Sequence, residues 1–321
     1  MSALARARIY SAVPPTIPGA GYQPGSRDPA ASRRSGRGRT AFVLSGGASL
    51  GALQVGMLRA LYERGIVPDL VVGASAGALN AAFVACRPQT VETADELAAV
   101  WRNLRREDVF PFGLRALVRG LAGGGDHLVG DRGLREIARR HLRIERLEQS
   151  LVPLHLVTFD LLSGKELRLS SGPAVEAVLA AAAIPGLLPA VRWGERRLVD
   201  GGVVNNTPIS HAVELGAERV YVLPTGNLSH ALEKRPRGAI DAAIHGMTLL
   251  IDSQRGAEIA RYADQVELIV LPAPNPDHVR LTDFRQSSSL IDGALAAARS
   301  FLAARAVSER RPRLMIAQSP A

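Results

Sequence analysis

Apolar positions follow two rhythms along this chain. Thr40-Ala-Phe-Val-Leu44, Asp69-Leu-Val-Val-Gly73 and Arg219-Val-Tyr-Val-Leu-Pro224 are short, nearly unbroken apolar runs, the pattern of strands buried on both faces. Between them the period lengthens. Leu50, Leu53, Met57, Leu58 and Leu61 fall at helical spacing, and Gly65 is placed to end that helix. The pattern predicts strands over 41–45, 69–73, 153–159, 165–170, 219–224 and 265–271, with Trp193 to Val199 as a further strand or strand end. It predicts helices over 50–64, 76–86, 92–104, 131–142, 173–183, 207–216, 239–260 and 287–305, with Asp131 capping one of them. Strands that mostly alternate with helices argue for an α/β fold, a mixed, largely parallel sheet between helices. No internal repeat is visible.

Composition sharpens this picture in a few places. The 321 residues are 47% hydrophobic, enough for one large α/β core or two smaller ones. Seven arginines against one acid fall within residues 1–40, so six of the nine excess positive charges sit there. That stretch is rich in Pro, Gly, Ser and Ala and has no periodic apolar face, which reads as a disordered basic tail over 1–39. It lacks the apolar run of a secretory signal. The longest uncharged apolar run, Ala177 to Val191, is too short to span a bilayer and contains Pro185-Gly186, so it reads as core helix plus turn. Val109 to Leu121 sets Phe110, Phe112, Leu114, Leu117 and Leu121 beside Arg115 and Arg119 and precedes Gly123-Gly124-Gly125. It fits an interfacial or lid segment, or a half-buried surface helix. The single cysteine, Cys86, excludes an internal disulfide and reads as a buried thiol. No zinc-ligand spacing occurs, so no metal and no cofactor are expected.

Candidate chemistry gathers in three glycine-rich frames. Ser75 lies in Gly73-Ala74-Ser75-Ala76-Gly77, at a turn from a strand into an apolar helix. Such a turn exposes the side chain at the top of a sheet, and the glycines at minus two and plus two let strand and helix approach closely. A serine that merely caps the helix would leave the same pattern. Gly46-Gly47-Ala48-Ser49-Leu50-Gly51 also joins a strand to a helix and leaves backbone N–H groups free to face an anion. Its glycine order is neither the dinucleotide fingerprint nor a Walker loop. Asp200-Gly201-Gly202 follows a strand end, where an ordinary hairpin turn is the alternative. Together these supply a nucleophile, a base and oxyanion donors, the parts that ester hydrolysis through an acyl-enzyme requires. Of the histidines beyond Asp200, His211 reads as helix surface and His245 as helix packing. His278, in a loop, is the one placed to complete a triad.

In order and content the three motifs resemble those of the patatin-like phospholipase family, over roughly Ala41 to Val213. Val157-Thr-Phe-Asp160 with Ser163-Gly164, and Ala183-Ile-Pro-Gly-Leu-Leu-Pro189, are similar to what the family carries between its catalytic motifs. The resemblance implies a three-layer α/β/α domain over 40–214; from the pattern of the chain itself, strands and alanine-rich helices over 215–307 are expected to pack on it, with a frayed end over 308–321. The resemblance also implies a Ser75–Asp200 dyad and an oxyanion hole from Gly46, Gly47, Ala48 and Ala76. Gly51, Gly73, Gly77, Gly201 and Gly202 are then motif glycines. The implied substrate is a lipid or other acyl ester, met at a peripheral membrane or micelle surface, with a cytoplasmic or membrane-peripheral location. A nucleic-acid partner rests only on the arginine tail and is not expected. Ala48 stands where the family has glycine, Leu50 where it has a basic residue, and Ala181 where serine is common. These departures leave a weakly active lipid-binding or regulatory protein as an alternative, beside an acyltransferase.

Overall fold

The computed structural model describes residues 38–110, 127–226, 239–274 and 281–310, all within one compact unit, Gly38–Ala321. Residues 1–37 of the expected tail lie outside the described residues. So do 111–121 of the expected interfacial segment with its triglycine, and everything from 311 onward.

The described strands are β1 (Thr40–Leu44), β2 (Leu70–Gly73), β3 (Leu154–Asp160), β4 (Lys165–Leu169), β5 (Val191–Trp193), β6 (Arg196–Asp200), β7 (Arg219–Leu223) and β8 (Glu267–Val270). The described helices are α1 (Ala52–Tyr62), α2 (Ala76–Ala85), α3 (Val91–Asn103), α4 (Arg106–Val109), α5 (Arg132–His141), α6 (Ala174–Ala182), α7 (Ile209–Glu214), α8 (Ala239–Tyr262) and α9 (Ser287–Arg310). The periodicity placed these elements to within a few residues, except α4 and β5, which it did not predict. Two local readings change. Trp193 to Val199 is a hairpin bend rather than one strand, because Gly194 takes φ +60° between β5 and β6. Asp131 holds the N-terminal position of α5 without capping it, since its carboxylate pairs with Arg135 at 2.8 Å.

The sheet runs in the order β5-β6-β3-β2-β1-β7-β8, with β4 also paired to β3. Pairing is parallel from β3 through β2, β1 and β7 to β8, and antiparallel among β3, β4, β5 and β6. β4 occupies one edge of β3 along its length, so β2 and β6 must share the other. There β2 stops at Gly73 opposite Leu156, while β6, running the other way, stops at Asp200 opposite Thr158. The two strand ends therefore face each other across about 7 Å of β3.

Burial follows the strand alternation. Phe42 and Leu44 enter the larger core with α1, α2, α3 and α9, while Ala41 and Val43 enter a second core with Ile209, Ala212 and Tyr262 of α7 and α8. Both faces of the central strands are thus covered, as parallel sheets require. In α9, Ile291, Ala294, Ala298 and Leu302 recur at helical spacing and are buried. Opposite them Gly56 of α1 is so close that a Cβ there would lie 2.2 Å from the Ile291 carbonyl oxygen and 2.6 Å from the Leu295 nitrogen. A Gly56→Ala variant must push α9 away, at an expected cost of ~1–3 kcal/mol. Urea unfolding should show a lowered midpoint; an unchanged midpoint would mean that α9 shifts freely.

Candidate active site

Ser75 stands where β2 gives way to α2, with φ +54° and ψ −126°, a conformation that side chains other than glycine rarely hold. The turn is this tight because a Cβ on Gly77 would lie 2.2 Å from the Leu44 carbonyl oxygen. Only glycine lets α2 start so close to the end of β1. The capping reading of Ser75 fails: its side chain caps nothing on α2 and lies near the Asp200 carboxyl, whose pKa it lowers.

Asp200 ends β6 and enters a 3-10 turn, Gly201–Val203, rather than a hairpin. Its Oδ1 accepts the Gly202 N–H at 2.8 Å, and the residue is buried. Burial drives its carboxyl upward to about 6, while the hydrogen bonds from Ser75 and Gly202 act in the opposite direction. The chain also ties the two residues to one support. The Ser75 N–H donates to the Ala181 carbonyl and the Asp200 N–H to the Ala183 carbonyl, both at 2.9 Å. The end of α6 therefore holds the backbones of Ser75 and Asp200 at a fixed spacing.

The loop Ser45–Gly51 lies against this pair, with Gly46 packed on the Ser75 side chain. The Gly46 N–H, expected among the oxyanion donors, is already committed to the Asn206 carbonyl at 3.1 Å. Among the described residues, the N–H groups of Gly47, Ala48 and Ala76 have no acceptor. Ala48 holds φ +49°, the conformation a glycine would adopt without strain, so alanine keeps its N–H in place at a cost of ~1–2 kcal/mol. Leu50 does not leave a cation's place open. It is buried in the larger core, where an arginine would carry its charge into apolar surroundings.

Residues that no motif marked hold this loop from beneath. Trp101 Nε1 donates to Asn80 Oδ1 at 2.8 Å, and Asn80 Nδ2 donates to Gly51 O and Gln54 Oε1. Gln54 Nε2 in turn donates to the carbonyls of Ser45 and Leu223. From the other side, Asn206 Nδ2 and Thr225 Oγ1 both donate to Gly46 O, at 3.1 and 2.6 Å. Ser45 and Thr207 share a hydroxyl contact at 2.9 Å. The one signal in the sequence was Asn205-Asn206-Thr207, a polar run directly after Asp-Gly-Gly.

From Ser75, Ala76 and Ala48 a narrow apolar cavity of about 80 Å³ runs along α2 past Leu79 and Phe83. Trp101, Leu104, Phe110, Ile184 and Leu188 also line it. Phe110 and Ile184 belong to the two segments singled out in the sequence, the aromatic stretch and the Ala183–Pro189 motif. Asp160 of the other motif accepts from Ser163 Oγ, Leu162 N and Arg197 N, which locks the β3–β4 turn onto β6.

His211 is engaged elsewhere, with Nε2 at 2.6 Å from Glu166 and Nδ1 at 3.2 Å from Arg168, so it joins α7 to β4 rather than facing solvent. His155 is pushed down to about 4, by burial first and then by the charges of Arg168, Arg39 and His211. His278 and the side chain of His245 lie outside the described residues. The Cys86 thiol is buried, as expected. Among the described residues no cluster of His, Cys, Asp and Glu could hold a metal ion, and no helix is long and apolar enough to cross a membrane.

Comparison with known proteins places this geometry in context. The profile of the patatin-like phospholipase family matches residues 42–213, more than half of the chain. An uncharacterised NTE family protein of Mycobacterium bovis is 29% identical over 309 residues, covering 89% of this chain and 49% of its own length. A lysophospholipase, NTE1, of Mycosarcoma maydis is 28% identical over 195 residues, covering 58% of this chain and 10% of its own. The chain spans about half the length of the first of these relatives. Among solved structures, VipD from Legionella pneumophila aligns over 80% of this chain and 67% of its own, at 14% identity and a TM-score of 0.42.

A raised carboxyl pKa has a consequence for stability. The neutral form of Asp200 is favoured in the folded chain, so its contribution is present below its ordinary pKa of 3.8 and lost as pH rises through about 6. Two units correspond to ~3 kcal/mol. Asp200→Asn should therefore gain stability relative to wild type between pH 4 and pH 7, by up to that amount, in parallel thermal melts. A difference that stays constant with pH would show that the carboxyl is not raised.

Proposed function

We infer the reaction from one premise, that the chain belongs to the patatin-like phospholipase family. The reading is a lipid acyl hydrolase, of phospholipase A, lysophospholipase or esterase type, that works through an acyl-enzyme on Ser75. One observation carries it: Ser75, at a strained strand-to-helix turn, lies close enough to the buried Asp200 carboxyl to act on its pKa, which burial raises to about 6.

The chemistry follows from that proximity. As Ser75 Oγ attacks the ester carbonyl, its proton passes to the neighbouring Asp200 carboxylate. An aspartate near its ordinary pKa is a poor base at neutral pH, and one near 6 is better matched while still mostly ionised. The N–H groups of Gly47, Ala48 and Ala76 are the donors for the developing oxyanion, each worth ~3 kcal/mol in such a site. Asp200 then returns the proton to the leaving alcohol. Water attacks the acyl-enzyme with Asp200 again as base, and the fatty acid departs. The apolar cavity that starts at Ser75 takes the acyl chain. The available N–H of Ala48 and the packed position of Leu50 argue that neither departure from the family pattern disables the site, which favours turnover over lipid binding alone.

Ser75→Ala and Asp200→Asn should each lower kcat/KM on a lysophospholipid by roughly a thousandfold or more, with unchanged folding. In wild type, kcat/KM should rise with pH through an apparent pKa of about 6, because only the ionised carboxylate accepts the proton. Substantial activity in Asp200→Asn would assign the base elsewhere and overturn the dyad.

The cavity also bounds the substrate. Ser75 and Phe83 both line it and are eight positions apart along α2, or about 12 Å. Phe83 is packed at that depth against His141, ring centroids 6.3 Å apart. Phe83→Ala should shift the preferred acyl length upward in a p-nitrophenyl ester series. An unmoved optimum would place the acyl chain outside this cavity.

A further inference from the structure

The rim of the sheet that carries the active site also carries a surface that the reaction does not use. The turn between β3 and β4 sets Leu161 and Leu162 side by side in solvent, 50% and 71% exposed. Turn positions usually take small polar residues, so two adjacent exposed leucines are a costly choice. The neighbouring hairpin of β5 and β6 is bound to this turn: Leu161 N donates to Arg197 O at 2.9 Å, and Arg197 N donates to Asp160 Oδ1 at 3.2 Å. Lys165, Arg192, Arg196 and Arg197 are all exposed around the leucines, and Glu195 at the hairpin tip is the acid among them. None of the four cations forms a close ion pair among the described residues, although Arg192 Nε donates to Gly194 O at 3.3 Å and Arg196 helps to lower the Asp160 carboxyl pKa. Moreover, β5 and β6 pair Arg192 directly opposite Arg197, a like-charge cross-strand pair that weakens an isolated hairpin.

We propose that this tip, Leu161 and Leu162 ringed by Lys165, Arg192, Arg196 and Arg197, docks the protein on an anionic lipid surface. The leucines match the apolar side of the headgroup boundary, and the exposed cations match headgroup phosphates and carboxylates. A nucleic acid would use the cations and leave the leucines in water. The anionic surface also relieves the repulsion between Arg192 and Arg197. Position supports the assignment. β3 is parallel to β2, so its terminal turn lies on the rim where Ser75 follows β2. β6 then runs from the tip to Asp200, three residues beyond Arg197 or about 10 Å. Docking is separate from the chemistry and stands whether or not Ser75 turns over substrate.

The test uses the full chain carrying Ser75→Ala, so that lipid stays intact. Flotation would be measured with vesicles of phosphatidylcholine alone and of equal parts phosphatidylcholine and phosphatidylserine. The expected result is binding to the anionic vesicles only, weakened about fivefold by each of Arg192→Gln and Arg197→Gln and more than tenfold by Leu161→Ser with Leu162→Ser. The arginine variants should melt no lower than the parent at low salt, which separates loss of docking from loss of fold. Equal binding to neutral vesicles would overturn the proposal. So would anionic-vesicle binding unchanged in all these variants, which would assign it to another part of the chain such as the arginine-rich residues 1–39. Loss of single-stranded DNA binding in the variants, with vesicle binding retained, would overturn it in favour of a nucleic acid.

Discussion

The geometry depends on two strands meeting end to end on one edge of β3. β2 delivers Ser75 from one direction and β6 delivers Asp200 from the other. Neither strand continues, so each leaves its last residue at a gap that the other's terminal residue faces. The carbonyls of Ala181 and Ala183 then fix both backbones from the end of a single helix. Ser75 and Asp200 are far apart in the chain, yet the spacing of their backbones is set by a few backbone hydrogen bonds. Preorganisation of this kind is what the proposed hydroxyl–carboxylate pair would need in order to act without a third group to orient it.

The pair is costly to maintain. Asp200 is held in surroundings that disfavour its charge, and Ser75 and Ala48 both occupy backbone conformations that L-residues avoid. Such features persist only where the surroundings leave no alternative. The buried amides of Gln54, Asn80 and Asn206, with Trp101 and Thr225, supply that constraint by bonding the carbonyls of Ser45, Gly46 and Gly51. Each of these donors would be expensive to bury alone, and as a connected set they make the glycine-rich loop rigid. The loop's free N–H groups are therefore aimed before substrate arrives.

Placement of the site at the C-terminal rim of the parallel strands has a second effect. The antiparallel strands β4, β5 and β6 extend that rim, and their turns are the exposed features nearest to Asp200 along the chain. Asp160, through its bonds to Ser163, Leu162 and Arg197, welds turn and hairpin into one edge. The same antiparallel addition that brings the carboxylate to the serine thus builds the surface outside it.

The alternation of buried apolar runs with helical periodicity determined the fold class and nearly every element. Those signals are local, since a strand buried on both faces and a helix buried along one stripe each write their period into contiguous residues. The short motifs located Ser75 and Asp200, because a sharp turn and a close backbone approach leave few residues but glycine able to fit. What the chain did not reveal was decided by contacts between distant segments. That Ser75 lies beside a carboxylate rather than capping α2 depends on where β6 ends. That Gly46 spends its N–H while Gly47, Ala48 and Ala76 keep theirs depends on Asn206. That Leu50 packs inward depends on the course of the loop above α1. A side chain's partner across the fold leaves no period in the sequence, and only the tertiary structure assigns it.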